Sequence, residues 1–117
     1  MPTRAVAGAR AESIAAEFLV ARGLVILTRN FRTRLGEIDL IARDGGTLVF
    51  VEVRLRRNQS FGGAGASITA AKCARLTAAA RVYLARLGSE PPCRFDAVLL
   101  DDLDSPHIAW ERDILSG

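Results

Sequence analysis

The feature that most constrains this chain is a nineteen-residue stretch at positions 36–54, GEIDLIARDGGTLVFVEVR. Glu37 to Arg43 alternates acid and aliphatic, Thr47 to Arg54 is a near-continuous apolar run ending in charge, and Asp44-Gly45-Gly46 between them is a hairpin signal. Successive side chains on a strand point to opposite faces, so Glu37 and Asp39 share one face, and Glu52 and Arg54 share one face. Whether those faces coincide depends on the turn. With Gly45-Gly46 as a two-residue loop, Asp44 opposes Thr47, Asp39 opposes Glu52, and Glu37 opposes Arg54; a three-residue loop turns Asp39 to the wrong face. The second run is apolar on both faces, which predicts a central strand covered by a helix on each side.

The remaining pattern fits around this hairpin. Ala11, Ile14, Ala15, Phe18 and Leu19 form the stripe of an amphipathic helix over Ala9 to Arg22, closed by Gly23. On that helix Glu12 falls on the flank of the stripe and Glu17 points to water. Leu24 to Asn30 reads as a strand before the hairpin. After the glycine-rich segment SFGGAGAS at 60–67, Ser67 or Thr69 caps an alanine-rich helix that runs to Leu87 and stops at Gly88. Arg94 to Leu100 is a fourth strand and His107 to Trp110 a short edge strand. The order α-β-β-β-α-β-β predicts an α/β sandwich with mixed strand directions. With 117 residues, half of them hydrophobic, the chain has material for one domain, 1–117, and its core. No apolar run reaches the roughly 18 residues of a membrane span and no signal-peptide order opens the chain, so the expected location is the cytoplasm, away from membranes. Cys73 and Cys93, twenty residues apart with no C-x-x-C, argue against zinc or a disulfide framework and read as reduced packing residues.

Charge is lopsided along the chain. Positions 54–89 hold six Arg, one Lys and no acid, directly after the acidic 35–53 segment with four acids and one Arg. Such a stretch is either a basic face that meets a polyanion or a solvated helix surface.

Asp39 and Glu52, opposed across a ladder on a face that also carries Leu48 and Phe50, repel each other in a half-buried setting. A hard cation, Mg²⁺ or Mn²⁺, offsets this directly, because such ions take carboxylate, water and phosphate oxygens. The alternatives are proton sharing or pairing with Arg54.

These residues resemble the YraN family of bacterial proteins, whose fold is similar to the PD-(D/E)XK endonucleases and Holliday-junction resolvases. The likeness covers about residues 8–110 and rests on Glu12 in AESIAAEFL, Asn30-Phe31-Arg32, GEIDLIA at 36–42, LVFVEVR at 48–54, Lys72-x-x-Arg75 and Arg94-Phe95-Asp96. It implies a restriction-endonuclease-like α/β/α sandwich with a mixed central sheet. Glu12, Asp39 and Glu52 match the metal-holding acids, and Arg54 falls where the nucleases carry lysine. Arginine stays protonated, so it clamps developing charge but does not act as a general base. The expected function is metal-dependent hydrolysis of phosphodiester bonds in DNA, branched or damaged DNA included. Catalysis would fall to Glu12, Asp39, Glu52 and Arg54, and backbone contacts to Arg56, Arg57, Lys72 and Arg75. The alternatives are a nucleic-acid-binding module that keeps the fold without turnover, and an adaptor using the acidic segment from Asp101 to Asp113. Symmetric cutting by resolvase-like enzymes is consistent with a homodimer. Lys72, the single lysine, reads equally as a functional ammonium and as a surface residue. His107 reads as a surface or partly buried strand residue, and Trp110 as a packing anchor.

Overall fold

The hairpin forms as its turn dictates. In a computed structural model that describes residues 4–55 and 69–115, β2 (Glu37–Asp44) and β3 (Thr47–Leu55) are antiparallel, with Asp44 opposite Thr47. Gly45 takes φ 60°, the left-handed conformation that a two-residue loop needs at its first central position and that glycine adopts without steric cost.

Around this pair lie α1 (Arg4–Ala21), β1 (Val25–Arg32), α2 (Ala70–Leu87), β4 (Cys93–Leu100) and β5 (Ile108–Glu111). The sheet order is β1-β2-β3-β4-β5; β3 and β4 are parallel, and every other neighbouring pair is antiparallel. A parallel pair cannot be joined by a hairpin, and α2 lies in the crossover between them. The α/β order α-β-β-β-α-β-β is therefore as the sequence predicts, with β3 in the middle of the sheet.

Because β3 is apolar on both faces, it feeds two cores. Val49 and Val51 pack with Ala15, Ala16 and Leu19 of α1 and with Val98 and Leu100 of β4. Leu48 and Phe50 pack on the other face with Leu76, Ala79 and Ala80 of α2. Each fully buried side chain of this kind contributes about 1.5–3 kcal/mol. Small alanines on both helices permit close approach to the sheet. No helix among the described residues is long and apolar enough to cross a membrane.

Several expectations need correction. Helix α1 begins at Arg4 rather than Ala9, because the alanine-rich run before the apolar stripe also favours helix. Of the two expected caps it is Thr69 that serves α2, its hydroxyl accepting from Lys72 N at 3.1 Å, and Gly88 closes the helix at φ 74° as expected. Cys93 is exposed at the head of β4, just past Pro91-Pro92, and so is not a packing residue, whereas Cys73 is half-buried; both are free thiols. Arg56, Arg57 and the 60–67 segment lie outside the described residues.

Candidate functional site

The β2–β3 ladder runs from Asp44–Thr47 to Leu40–Val51 and stops there, so Asp39 and Glu52 are not a ladder pair as the sequence predicts. Hydrogen-bonded pairs alternate along an antiparallel ladder, and after Leu40–Val51 the next would be Ile38–Val53. Asp39 takes that donor instead, with Val53 N–H bonding to Oδ2 at 2.8 Å. The carboxylate is a wedge at which the two strands fork.

A break in alternation puts it there. Ile38 and Ile41 are three apart yet pack in the same core against α2, whereas Leu40 and Ala42 face α1. On the neighbouring strand Arg29 reaches Ser13 of α1 at 3.3 Å, while Phe31, two residues on, meets Tyr83 of α2 edge-on at 5.3 Å. Both strands change faces between these residues. The pivots are Asp39 and Asn30, flanked by the register pairs Arg29–Leu40 and Phe31–Ile38. Asn30 has φ 54°, a left-handed conformation uncommon for residues other than glycine but tolerated best by asparagine and aspartate.

Glu52 is 5% exposed and sits at the mouth of the fork. Lys72 Nζ reaches its Oε1 at 3.1 Å from the first turn of α2, and Arg54 Nε approaches the same oxygen at 3.8 Å. Among the described residues, the hydrogen bonds and ion pairs of this pair engage one oxygen of each carboxylate, Asp39 Oδ2 and Glu52 Oε1. The Asp39 carboxyl is pushed up to about 7, first by burial and next by the charge of Glu52, against the opposing pull of the Val53 N–H. Glu12 adds to this repulsion, and Lys72 reduces it.

Glu12 is half-buried on α1, as its place on the helix flank predicts, and Glu17 is exposed. Burial raises the Glu12 carboxyl, while a hydrogen bond from Asn30 and the charge of Arg32 pull it back. Glu12 thus stands within electrostatic reach of Asp39. Among the described residues, however, no group of three His, Cys, Asp or Glu side chains closes into a metal cluster. The structure brings together Asp39, Glu52, Arg54 and Lys72. Glu12 reaches Asp39 through its charge, and Arg75 lies exposed one turn along α2 from Lys72. Glu37, expected opposite Arg54, is exposed and pairs with Arg32 at 3.7 Å.

Sequence reasoning missed the role of Asn30. Strand alternation alone gives no sign of it, and only its place in Asn30-Phe31-Arg32 marks it. It also assigned Lys72 to the nucleic-acid backbone, whereas its ammonium lies on Glu52. His107 is a surface residue bonded to Asp101 Oδ2 at 2.9 Å. Trp110 anchors a second buried carboxylate, donating from Nε1 to Asp96 Oδ2 at 2.9 Å.

Comparison with known proteins places the chain in one family. The model of Uncharacterised protein family UPF0102 matches residues 11–100. A UPF0102 protein of Symbiobacterium thermophilum is 61% identical over 92 residues, 78% of this chain and 78% of its own. One from Nitrosospira multiformis is 55% identical over 106 residues, 91% of this chain and 89% of its own. One from Methylobacillus flagellatus is 50% identical over 110 residues, 94% of this chain and 96% of its own. The matched span runs from α1 through β4 and includes Glu12, Asn30, Asp39, Glu52, Arg54 and Lys72, and the chain belongs to the UPF0102 family, the YraN-like proteins.

Proposed function

We propose that the protein is a metal-dependent nuclease that hydrolyses phosphodiester bonds in DNA, branched or damaged DNA included. The observation that carries this reading is the fork. A buried and a half-buried carboxylate repel each other there, the Asp39 carboxyl is held near 7, and each offers an oxygen not engaged by a described residue. That donor set fits a hard divalent cation, which takes one or two protein carboxylates and completes its shell with water and phosphate oxygens. Bound there, Mg²⁺ or Mn²⁺ would supply Lewis-acid polarisation of the phosphate and activation of a water.

The chain's own residues divide the remaining work. Asp39 and Glu52 would hold the ion. Glu12, whose charge Asp39 feels, would be a further or water-mediated ligand. Arg54 stays protonated and stabilises the charge that develops on the phosphate. Lys72 brings from α2 the ammonium that the third strand lacks, at 3.1 Å from Glu52.

The test is cleavage of linear, flapped and four-way DNA by the purified protein in Mg²⁺ or Mn²⁺. Asp39→Asn and Glu52→Gln are expected to lose cleavage by about 100-fold or more, the scale of removing a preorganised charge-stabilising group. Unchanged cleavage and unchanged Mn²⁺ binding in both variants would sink the reading. The Lys72–Glu52 ion pair favours a second reading, a DNA-binding module whose acid pair is neutralised internally. Salt-dependent DNA binding with no cutting in either metal would select it.

A further inference from the structure

Beside the fork, α2 and the β1–β2 turn enclose a groove of about 330 Å³, lined by Arg34, Gly36, Glu37, Lys72 and Arg75 among others. We propose that this groove binds a second phosphodiester of the same DNA strand, next to the one at the fork, with Arg34 and Arg75 as its clamp. The inference rests on the nuclease reading and adds a subsite to it.

Three observations carry it. First, the charges facing the groove are unequal. Glu37 is engaged by Arg32 at 3.7 Å and Lys72 by Glu52 at 3.1 Å, while neither Arg34 nor Arg75 has an ion pair among the described residues. Two guanidinium groups stand uncommitted over a cavity of small-ligand size, and the planar fork of guanidinium matches phosphate.

Second, the turn that carries Arg34 is locked. Thr33 N donates to Gly36 O at 2.9 Å. The Thr33 hydroxyl donates to the same carbonyl at 2.8 Å and accepts from Leu35 N at 3.1 Å and Gly36 N at 3.0 Å. Gly36 packs on the backbone of α2 so closely that a Cβ there would run into the Arg75 carbonyl. The two arginines therefore spring from backbones in direct contact, which lowers the ordering cost of gripping an anion. Third, Lys72 lines the groove and touches Glu52, so the groove opens directly onto the fork. Lys72 thus borders both the acid pair and the groove that Arg34 and Arg75 line.

The test uses fluorescence anisotropy of a fluorescein-labelled DNA duplex in EDTA, which separates binding from cleavage, across a salt series. The Arg34→Ala/Arg75→Ala double variant is expected to bind about 30-fold more weakly, with the slope of log K against log salt smaller by about 1, the loss of one phosphate contact. Arg10→Ala, at an exposed arginine paired with Asp104, is expected to change affinity less than about twofold. In parallel, the side-chain Nε–H signals of Arg34 and Arg75 are followed by NMR during titration with the dinucleotide pTpT, and both are expected to shift. A double variant with wild-type affinity and slope overturns the groove and leaves the nuclease reading standing. Loss of affinity in the double variant together with wild-type protein that cuts no substrate keeps the groove and overturns the nuclease. Wild-type protein that binds neither duplex nor pTpT overturns both.

Discussion

Two aspartates flank the central strand, and they are treated in opposite ways. Asp96 on β4 is 0% exposed, yet every demand of its charge is met: Arg94 Nε donates to both oxygens at 3.1 and 3.2 Å, Trp110 Nε1 at 2.9 Å and Asp113 N at 2.9 Å. Arg94 also reaches Asp44 at 2.9 Å, fastening β4 to the hairpin. Asp39, on the other side of β3, is less buried and far less satisfied. It has one backbone donor, a second carboxylate as neighbour, and a carboxyl held near 7. Burial alone therefore does not single out an acid for function; burial without compensation is what makes Asp39 a candidate. Asp96 is a structural fastening. Asp39 is held at a cost that only a further ligand or a proton relieves.

The comparison breaks first at Asp96. Asp96→Ala leaves the Arg94 guanidinium, the Trp110 N–H and a backbone N–H without their acceptor, and removing one partner of a buried ion pair costs about 3–5 kcal/mol. Urea denaturation is expected to show that loss. A loss below about 1 kcal/mol would mean that the network contributes little.

Asp39→Asn should move stability the other way. The unfolded carboxyl titrates near 3.8 and the folded one near 7. Below the lower value both states are protonated. Between the two values the folded chain keeps a proton that the unfolded chain has released, so stability falls as pH rises and reaches its low plateau above about 7. Asparagine can still accept from Val53 N–H and carries no charge. The variant is expected to be more stable by about 2 kcal/mol near pH 8, taking about 1.4 kcal/mol per unit and halving it for solvent access. The gain should vanish toward pH 4, and a wild-type curve flat from pH 4 to 8 would contradict the account.

How much of this contrast could be read from the chain follows from what local pattern encodes. The two-residue turn fixes the register, because Asp44-Gly45-Gly46 admits a left-handed residue where one is needed, and the doubly apolar β3 fixes the layers. Asp39 and Glu52 were visible as a pair through strict alternation, yet alternation fails at the pair itself. The fork requires Asn30 and Asp39 to break phase together, and that coupling is tertiary: a residue pattern of period two carries no mark of where the period is interrupted. Lys72 eluded the same reasoning, since it sits on the crossover helix and meets Glu52 of β3 only through the packing of that helix on the sheet. Asp96 read as one element of a family fragment; its neutralisation by Trp110 and by the backbone after β5 is set by long-range packing.

The smallest effect probes the pivot. Asn30 both tolerates φ 54° and pulls the Glu12 carboxyl down, and two substitutions separate these roles. Asn30→Ala puts an ordinary Cβ in the left-handed region and should cost about 1 kcal/mol of stability. Asn30→Gly removes that strain and should stay within about 0.5 kcal/mol of wild type. Both delete the hydrogen bond that pulls the Glu12 carboxyl down, so in both the Glu12 titration followed by carboxyl ¹³C NMR should move further up, by a similar amount. If the glycine variant keeps both its stability and the wild-type Glu12 titration, Asn30 serves the backbone alone and Glu12 is positioned by other groups. If instead Glu12 shifts upward while the fold is unperturbed, the face change at Asn30 and Asp39 is what joins the α1 acid to the acid pair, and the under-compensated side of the sheet extends across three elements rather than two.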